Sequence, residues 1–169
     1  FTLFVALITF IIAKPYFING KAPIASDIIL GHYHPWADTY KTKADTRYPI
    51  KNFQIYDGIR QTLPWRFEAI RQIKDGHLPL WNVYNLLGTP LLANIQTAAL
   101  YPLNILFFIT NFVDAWSIYV ILQIPLSAIG MWLFLRSEKL SPLSSAIGAI
   151  CFSLSGMMSN HFTFGIDGH

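Results

Sequence analysis

The side chains with chemical capacity concentrate in a hydrophilic stretch: Asp27, Asp57, Arg60, Arg66, Lys74 and His77, joined by His161 near the other end of the chain. A carboxylate beside cationic groups suits transfer chemistry on a phosphorylated substrate. The carboxylate takes the proton of an attacking hydroxyl, and Arg and Lys hold the phosphate, Arg through paired hydrogen bonds. A free Asp, with a pKa of ~3.9, is a weak base, so this chemistry needs partial desolvation or a nearby anion. A helix cap or a surface ion pair accounts equally well for any one of these residues. Motifs of soluble enzymes are absent: no G-x-G-x-x-G, P-loop, G-x-S-x-G, H-E-x-x-H or paired-cysteine zinc spacing. His32 and His34 could share a metal only on an extended strand, and no third ligand lies nearby, so no metal site is assigned. No cofactor can be named. The single cysteine, Cys151, lies in an apolar run and excludes an intrachain disulfide.

The elements that would position these groups follow from composition. Of 169 residues, 53% are hydrophobic and 12% charged, against about 25% charged in a typical soluble domain. Most of the charges fall between Lys14 and Asp75, and the runs 1–13, 76–113, 115–135 and 140–166 carry none. That pattern excludes a disordered chain and an ordinary soluble enzyme, and reads as an integral membrane protein. The net charge of +3 arises in residues 14–75, with ten Lys and Arg against six Asp and Glu. This is not the dense basic block of a nucleic-acid binder, and no nucleic-acid partner is expected. The excess suits membrane lipids or a phosphorylated substrate, and a solvated loop fits it as well.

The expected fold class is all-α: polytopic transmembrane helices with a long extracytoplasmic loop that contains amphipathic interfacial helices. Residues 1–13 are too short to span and read as the end of a first transmembrane helix, closed by Lys14-Pro15. The competing reading is the apolar region of a signal peptide, but no small-x-small cleavage site follows closely and further spans come later. Because the chain opens at Phe1 inside an apolar run, a fragment of a longer protein is expected. Residues 14–113 form the long loop. Within it Ile59, Leu63, Phe67, Ile70 and Ile73 mark one face of a helix over about 63–75, with Arg60, Arg66, Arg71 and Lys74 on the other. Thr62 is the expected N-cap and Gly76 the stop. This basic amphipathic helix, with Trp65 and Phe67, is expected in the membrane interface. A short apolar helix is expected over about 98–112.

Residues 115–135 are uncharged and long enough to cross ~30 Å of hydrocarbon, with Pro125 and Gly130 as expected kinks. Trp116 and Trp132 fall near its ends. A short loop, 136–141, leads to a second span, 142–159, in which Ser145, Ala149 and Ser153 form a small-residue packing face with Gly148 and Gly156 beside it. Arg136 and Lys139 place the short loop in the cytoplasm by the positive-inside rule. The long loop and residues 160–169, the start of another loop, then share the external face of a multi-pass cell-membrane protein.

The motifs narrow the function. Asp57-Gly-Ile-Arg-Gln-Thr-Leu-Pro-Trp-Arg66 resembles the D-x-x-x-Q-x-x-P-W-R segment of the bacterial YfhO-like membrane proteins. Gly76-His-Leu-Pro-Leu-Trp-Asn82, Gly88-Thr-Pro-Leu-Leu-Ala-Asn-Ile-Gln96 and Tyr101-Pro-Leu-Asn104 are similar to their following elements, in the same order. Ser155-Gly156 and Asn160-His161 fit the end of the next span. The resemblance implies a glycosyltransferase of GT-C type. Such an enzyme takes a sugar from a polyprenyl-phosphate carrier and delivers it to a cell-envelope acceptor such as a glycan or teichoic-acid-like polymer. It implies a catalytic or metal-associated Asp in the first external loop, with Asp57 the first candidate base and Asp27 the second. Arg60 and Arg66 become candidate phosphate contacts, with His161 a further substrate- or phosphate-binding candidate. Asn82, Asn94 and Gln96 either bond sugar hydroxyls or cap turns. Trp65, Trp81 and Tyr101 either stack on sugars or anchor the loop, and anchoring is the expectation. Two alternatives stay open: a lipid-linked-sugar transporter or flippase, which needs no base, and a non-catalytic membrane scaffold. Ionisable residues within the spans would favour the transporter, and 115–135 and 142–159 contain none.

Overall fold

In the computed structural model, which describes residues 1–24, 26, 29, 33–38 and 57–155, the chain is mostly helical with one short antiparallel ladder. It divides into two units, Phe1–Pro23 with Trp116–His169, and Ile24–Ala115.

In the first unit, α1 spans Thr2–Ile12 and α2 spans Lys14–Asn19. Lys14-Pro15 does end α1, but it starts a second short helix. Pro15 sits in the first turn, where its missing N–H is no loss. Gly20 then takes a left-handed φ of 65°, which closes α2. A later helix runs Phe112–Ser137, three residues earlier and two later than the apolar stretch alone suggests; it is α5 below. At its start Asn111 Oδ1 accepts the Asp114 N–H at 2.9 Å, and the Asp114 carboxylate lies in the first turn, where the helix dipole favours it. At its end Lys139 takes the left-handed position (φ 61°) usually given to glycine. The Leu140 N–H then reaches the Leu135 carbonyl at 3.2 Å and the Lys139 N–H the Arg136 carbonyl at 3.1 Å. Ser141 Oγ next accepts the Ser144 N–H at 3.2 Å and starts the last helix among the described residues, Pro142–Ser153, called α6. Of the expected 142–159 span, residues 156–159 lie outside the described part. At 26 residues α5 is about 39 Å long. Among the described residues it alone is long and apolar enough to cross a membrane, while α1 and α6 are shorter apolar helices.

The packing inside this unit is consistent along α5. Phe1 stacks on Trp132 at 5.7 Å between ring centroids. Ala13 packs with Ile121 and Ile124, and Trp116 Nε1–H donates to the Pro23 carbonyl at 3.3 Å. The N-terminal segment therefore lies antiparallel to α5. Ser145, Ala149 and Ser153 are all buried, as the small-residue spacing implies. A Cβ on Gly148 would lie 2.7 Å from Leu135 Cδ1, so a hydrogen there lets α6 approach α5 closely.

In the second unit, α3 spans Leu63–Lys74 and follows directly on a π-helical turn, Gly58–Thr62. Thr62 is helical (φ −63°, ψ −47°) and makes no side-chain cap, so it is not the N-cap that the sequence suggests. The widened turn has a physical cause. Pro64 lacks an N–H, and its ring would crowd the Arg60 carbonyl in a regular helix; one extra residue in the turn relieves both. The stop at Gly76 is as expected. Gly76 (φ 79°) donates to the Ile73 carbonyl at 3.0 Å, and His77 donates to the Gln72 carbonyl at 2.9 Å. The hairpin β1 (Trp81–Asn82) and β2 (Thr89–Pro90) pairs Trp81 with Pro90 and Asn82 with Thr89. The helix expected over 98–112 is broken up. Ala98 is left-handed (φ 48°), Pro102–Ile105 is 3-10, α4 covers only Leu106–Ile109, and Thr110 is extended. Asn104 explains part of this: its Nδ2 donates to the Ala98 and Ala99 carbonyls at 2.7 and 2.9 Å, fixing a turn where a continuous helix would need those carbonyls. The core of the unit joins Ala69, Leu91 and Ala99, with Trp65 and Leu92 packed against them. Phe107 is buried beside Phe112, 5.1 Å between centroids.

Gly88 (φ 96°) is required by its surroundings, because a Cβ there would overlap the Trp81 indole. Gly88→Ala is expected to destabilise the hairpin by about 2 kcal/mol or more, from the left-handed backbone and the displaced indole together. Amide exchange across residues 81–90 checks this. Unchanged protection there would mean that the indole is free to leave Gly88.

Candidate functional site

The sequence-derived candidates fall in different places. Asp57 and Arg60 are exposed at the π-helical turn that precedes α3. Arg66 is only 3% exposed, and its Nε–H points to the Thr97 carbonyl at 3.4 Å. It lies on the buried face with Ala69 and Ile70, while Phe67 is exposed, so assigning Arg66 to the solvated face is corrected. An apolar stripe at helical spacing identifies a helix, but the neighbours that arrive later decide which stripe is covered. Here the small Ala69 admits Leu91 and Ala99, and Arg66 is carried inside with it.

Asn82 is buried, and its Oδ1 accepts the Tyr84 N–H at 3.0 Å. Asn94 Oδ1 accepts the Gln96 N–H at 3.1 Å and starts the 3-10 turn Ile95–Thr97. Both asparagines thus cap turns, one of the two roles their spacing allows, and Gln96 is exposed beside the second. Trp65 is half-buried in the core, and Trp81 covers Gly88. His34 Nδ1 and Asp38 Oδ2 lie 2.7 Å apart on the surface. Asp27, His32 and His161 lie outside the described residues.

The structure adds a polar group that the sequence reading passed over. Glu68 is buried and takes both contacts of the Arg71 guanidinium at 2.8 Å, from Nε and from the second amino group. Gln72 Nε2 donates to Glu68 Oε1 at 2.7 Å and to the Trp81 carbonyl at 2.8 Å, which ties α3 to the hairpin. The Arg71 guanidinium also lies 6.0 Å from the Tyr84 ring centroid. The spacing i, i+3, i+4 of Glu68, Arg71 and Gln72 was the available signal, since such positions meet on a helix surface. Glu68 and Arg71 are among the residues that line an open groove of about 570 Å³. Ile59, Leu63, Phe67 and Phe112 line its apolar wall, and Asn82 and Tyr84 its polar one. Phe67 and Phe112 meet edge to face, 5.3 Å between centroids.

Electrostatics assigns Glu68 a structural part. Hydrogen bonding from Arg71 holds its carboxyl below the usual carboxylate range and outweighs burial, which pushes the other way. The bond to Gln72 adds to the lowering, and the same pair raises the Arg71 pKa. A carboxylate so held is a poor proton acceptor. Folding lowers the Glu68 pKa from its ordinary 4.5, so its contribution to stability is full above that value. It disappears as pH falls through the lowered one. Glu68→Gln is expected to flatten the fall in melting temperature between neutral pH and about pH 3. An equal fall in both proteins would show that another group carries the acid sensitivity.

The chemistry available is therefore an exposed carboxylate and guanidinium at the start of the α3 segment, followed by a largely apolar groove along it. No family model, curated protein or solved structure matches this chain.

Proposed function

We propose that this chain belongs to a polytopic membrane glycosyltransferase of GT-C type, related to the YfhO-like proteins. In this reading it takes a sugar from a polyprenyl-phosphate carrier and transfers it to a cell-envelope acceptor on the extracytoplasmic face. The observation that carries the reading is the union of α5 with a polar, aromatic-rich unit in one chain. The most apolar stretch of α5 is only 17% buried. Leu126, Ile129, Leu133 and Phe134 are all exposed on it. Water opposes that exposure at roughly 25 cal/mol per Å², and hydrocarbon removes the penalty. In this reading α1 and α6 are parts of further spans, and Arg136 and Lys139 hold their loop in the cytoplasm.

Asp57 acts as the base on the acceptor hydroxyl and Arg60 holds the carrier phosphate. The motif that Asp57 opens supports these roles, and the exposure of both side chains leaves them accessible to substrate, whose binding would supply the desolvation that the base needs. Arg66 is removed from the phosphate contacts, because its guanidinium is buried. The apolar wall of the groove suits an isoprenoid chain. The ordered motifs from Asp57 to Asn104 support the enzyme class.

The test uses the full-length protein in proteoliposomes with radiolabelled polyprenyl-phosphate sugars and an envelope-glycan acceptor. Transfer of label to the acceptor is expected. Movement of the carrier across the bilayer without any transferred label would favour a flippase. Envelope glycans unchanged in a deletion strain, with neither transfer nor transport in vitro, would leave only the scaffold.

A further inference from the structure

The unit Ile24–Ala115 carries a feature that its own packing does not use. Between β1 and β2 the chain turns through Asn85-Leu86-Leu87-Gly88, closed by the Gly88 N–H to the Asn85 carbonyl at 2.7 Å. Leu86 and Leu87 are fully exposed, at 100% and 101%. Leu86 is also held at φ 51°, a left-handed conformation that its Cβ disfavours. Turn positions of this kind ordinarily take Gly, Asn or Asp. Leu86 there meets both backbone strain and water, Leu87 meets water, and neither is covered by the unit.

The surroundings indicate what the tip meets. Val83 and Tyr84 are exposed beside it, and Trp81 stands half-exposed at its base. No residue between 76 and 113 is charged. The ionic groups nearest the hairpin are on the last turn of α3: Arg71 faces the Tyr84 ring and pairs with Glu68 and Asp75, and Lys74 is the cation that remains. The hairpin is thus uncharged, with two leucines in its turn, an exposed Tyr84 and a half-exposed Trp81 in the chain leading to it, and Lys74 on the helix to which Gln72 ties it. A bilayer leaflet accepts each of these groups: leucines in the acyl chains, Trp and Tyr at the interface, cations at the phosphates. A protein-binding patch would instead have a polar rim around its apolar centre. The same turn of α3 also reaches the chain that feeds α5: Lys74 Nζ lies 5.7 Å from the Phe108 ring. Phe108 and Ile109 are exposed as well.

We propose that the 81–90 hairpin is a lipid-inserted finger. Leu86 and Leu87 enter the acyl region of one leaflet, Trp81 and Tyr84 sit at headgroup level, and Lys74 faces anionic phosphates. The inference rests on the membrane reading of α5 and moves the anchor of this unit from the helix to the hairpin.

The test is made on full-length protein freed of its native cysteines, Cys151→Ser among them, with an environment-sensitive fluorophore on Leu87→Cys. The protein is placed in vesicles of phosphatidylcholine and phosphatidylglycerol. The label is expected to lose at least about half of its emission to lipids brominated at shallow acyl carbons, and little to aqueous iodide. Quenching by iodide alone would place the tip in water. Protection from both quenchers would mean that protein covers it, either the rest of this chain or a partner. Each of these two results overturns the finger. Labels on Leu133→Cys and Phe134→Cys in α5 separate the two levels of the argument. If bromolipid quenches those sites but not residue 87, the finger alone fails; if it quenches none of them, the membrane reading fails too.

Discussion

Asp57→Asn is expected to reduce sugar transfer on the order of a hundredfold to ten-thousandfold, the usual contribution of a positioned general base. The substitution keeps size and shape and removes only the ability to take up a proton. Asp57 is exposed and precedes α3 without capping it through its side chain, so membrane insertion and melting temperature should stay where they are. The measurement is kcat for transfer from a polyprenyl-phosphate sugar, taken beside KM and the melting temperature. In the glycosyltransferase reading kcat collapses while KM changes little, because the carboxylate acts on the acceptor proton and not on the carrier. Undiminished transfer would remove Asp57 from the mechanism and direct attention to Asp27. Transport that survives the substitution, in a protein that never transfers, would favour the flippase.

The second large effect is expected at Arg66, and on stability instead of rate. Its motif position suggests a phosphate contact, yet the side chain is 3% exposed and directed to the Thr97 carbonyl. Arg66→Ala removes a buried charged donor and the methylenes packed around it. A loss of about 2–4 kcal/mol is expected, combining the charge-assisted hydrogen bond to Thr97 with the cavity left by the buried side chain. Arg66→Lys should recover only part of it, since an ammonium cannot reproduce the planar guanidinium geometry. The two roles separate cleanly. A structural Arg66 lowers the melting temperature and the yield of folded protein, and whatever folds keeps its KM for the carrier. A phosphate contact would leave melting untouched and raise KM. An unchanged melting temperature for Arg66→Ala would overturn the buried placement.

The sequence alone established the helical class, the presence of a long apolar helix around residues 115–135, the stop at Gly76 and the small-residue seam of Ser145, Ala149 and Ser153, while the extension of that helix to Phe112–Ser137, with Asp114 and Arg136 inside it, came from its capping. Each of these is local. A charge-free run, a left-handed glycine or an i, i+4 repeat of small side chains acts through backbone geometry and its nearest turn, so one chain segment contains the whole cause. Tertiary structure decided the rest. The apolar stretch 98–112 has the composition of a helix, but Asn104 takes up the Ala98 and Ala99 carbonyls and breaks it. The stripe expected to be buried on α3 includes Phe67, which is exposed, while Arg66 lies inside. The Glu68–Arg71–Gln72 group acquires its purpose only when the Trp81 carbonyl arrives from another segment. Periodicity can say that a helix has faces, but which face is covered depends on what packs there, and that energy is absent until distant residues meet.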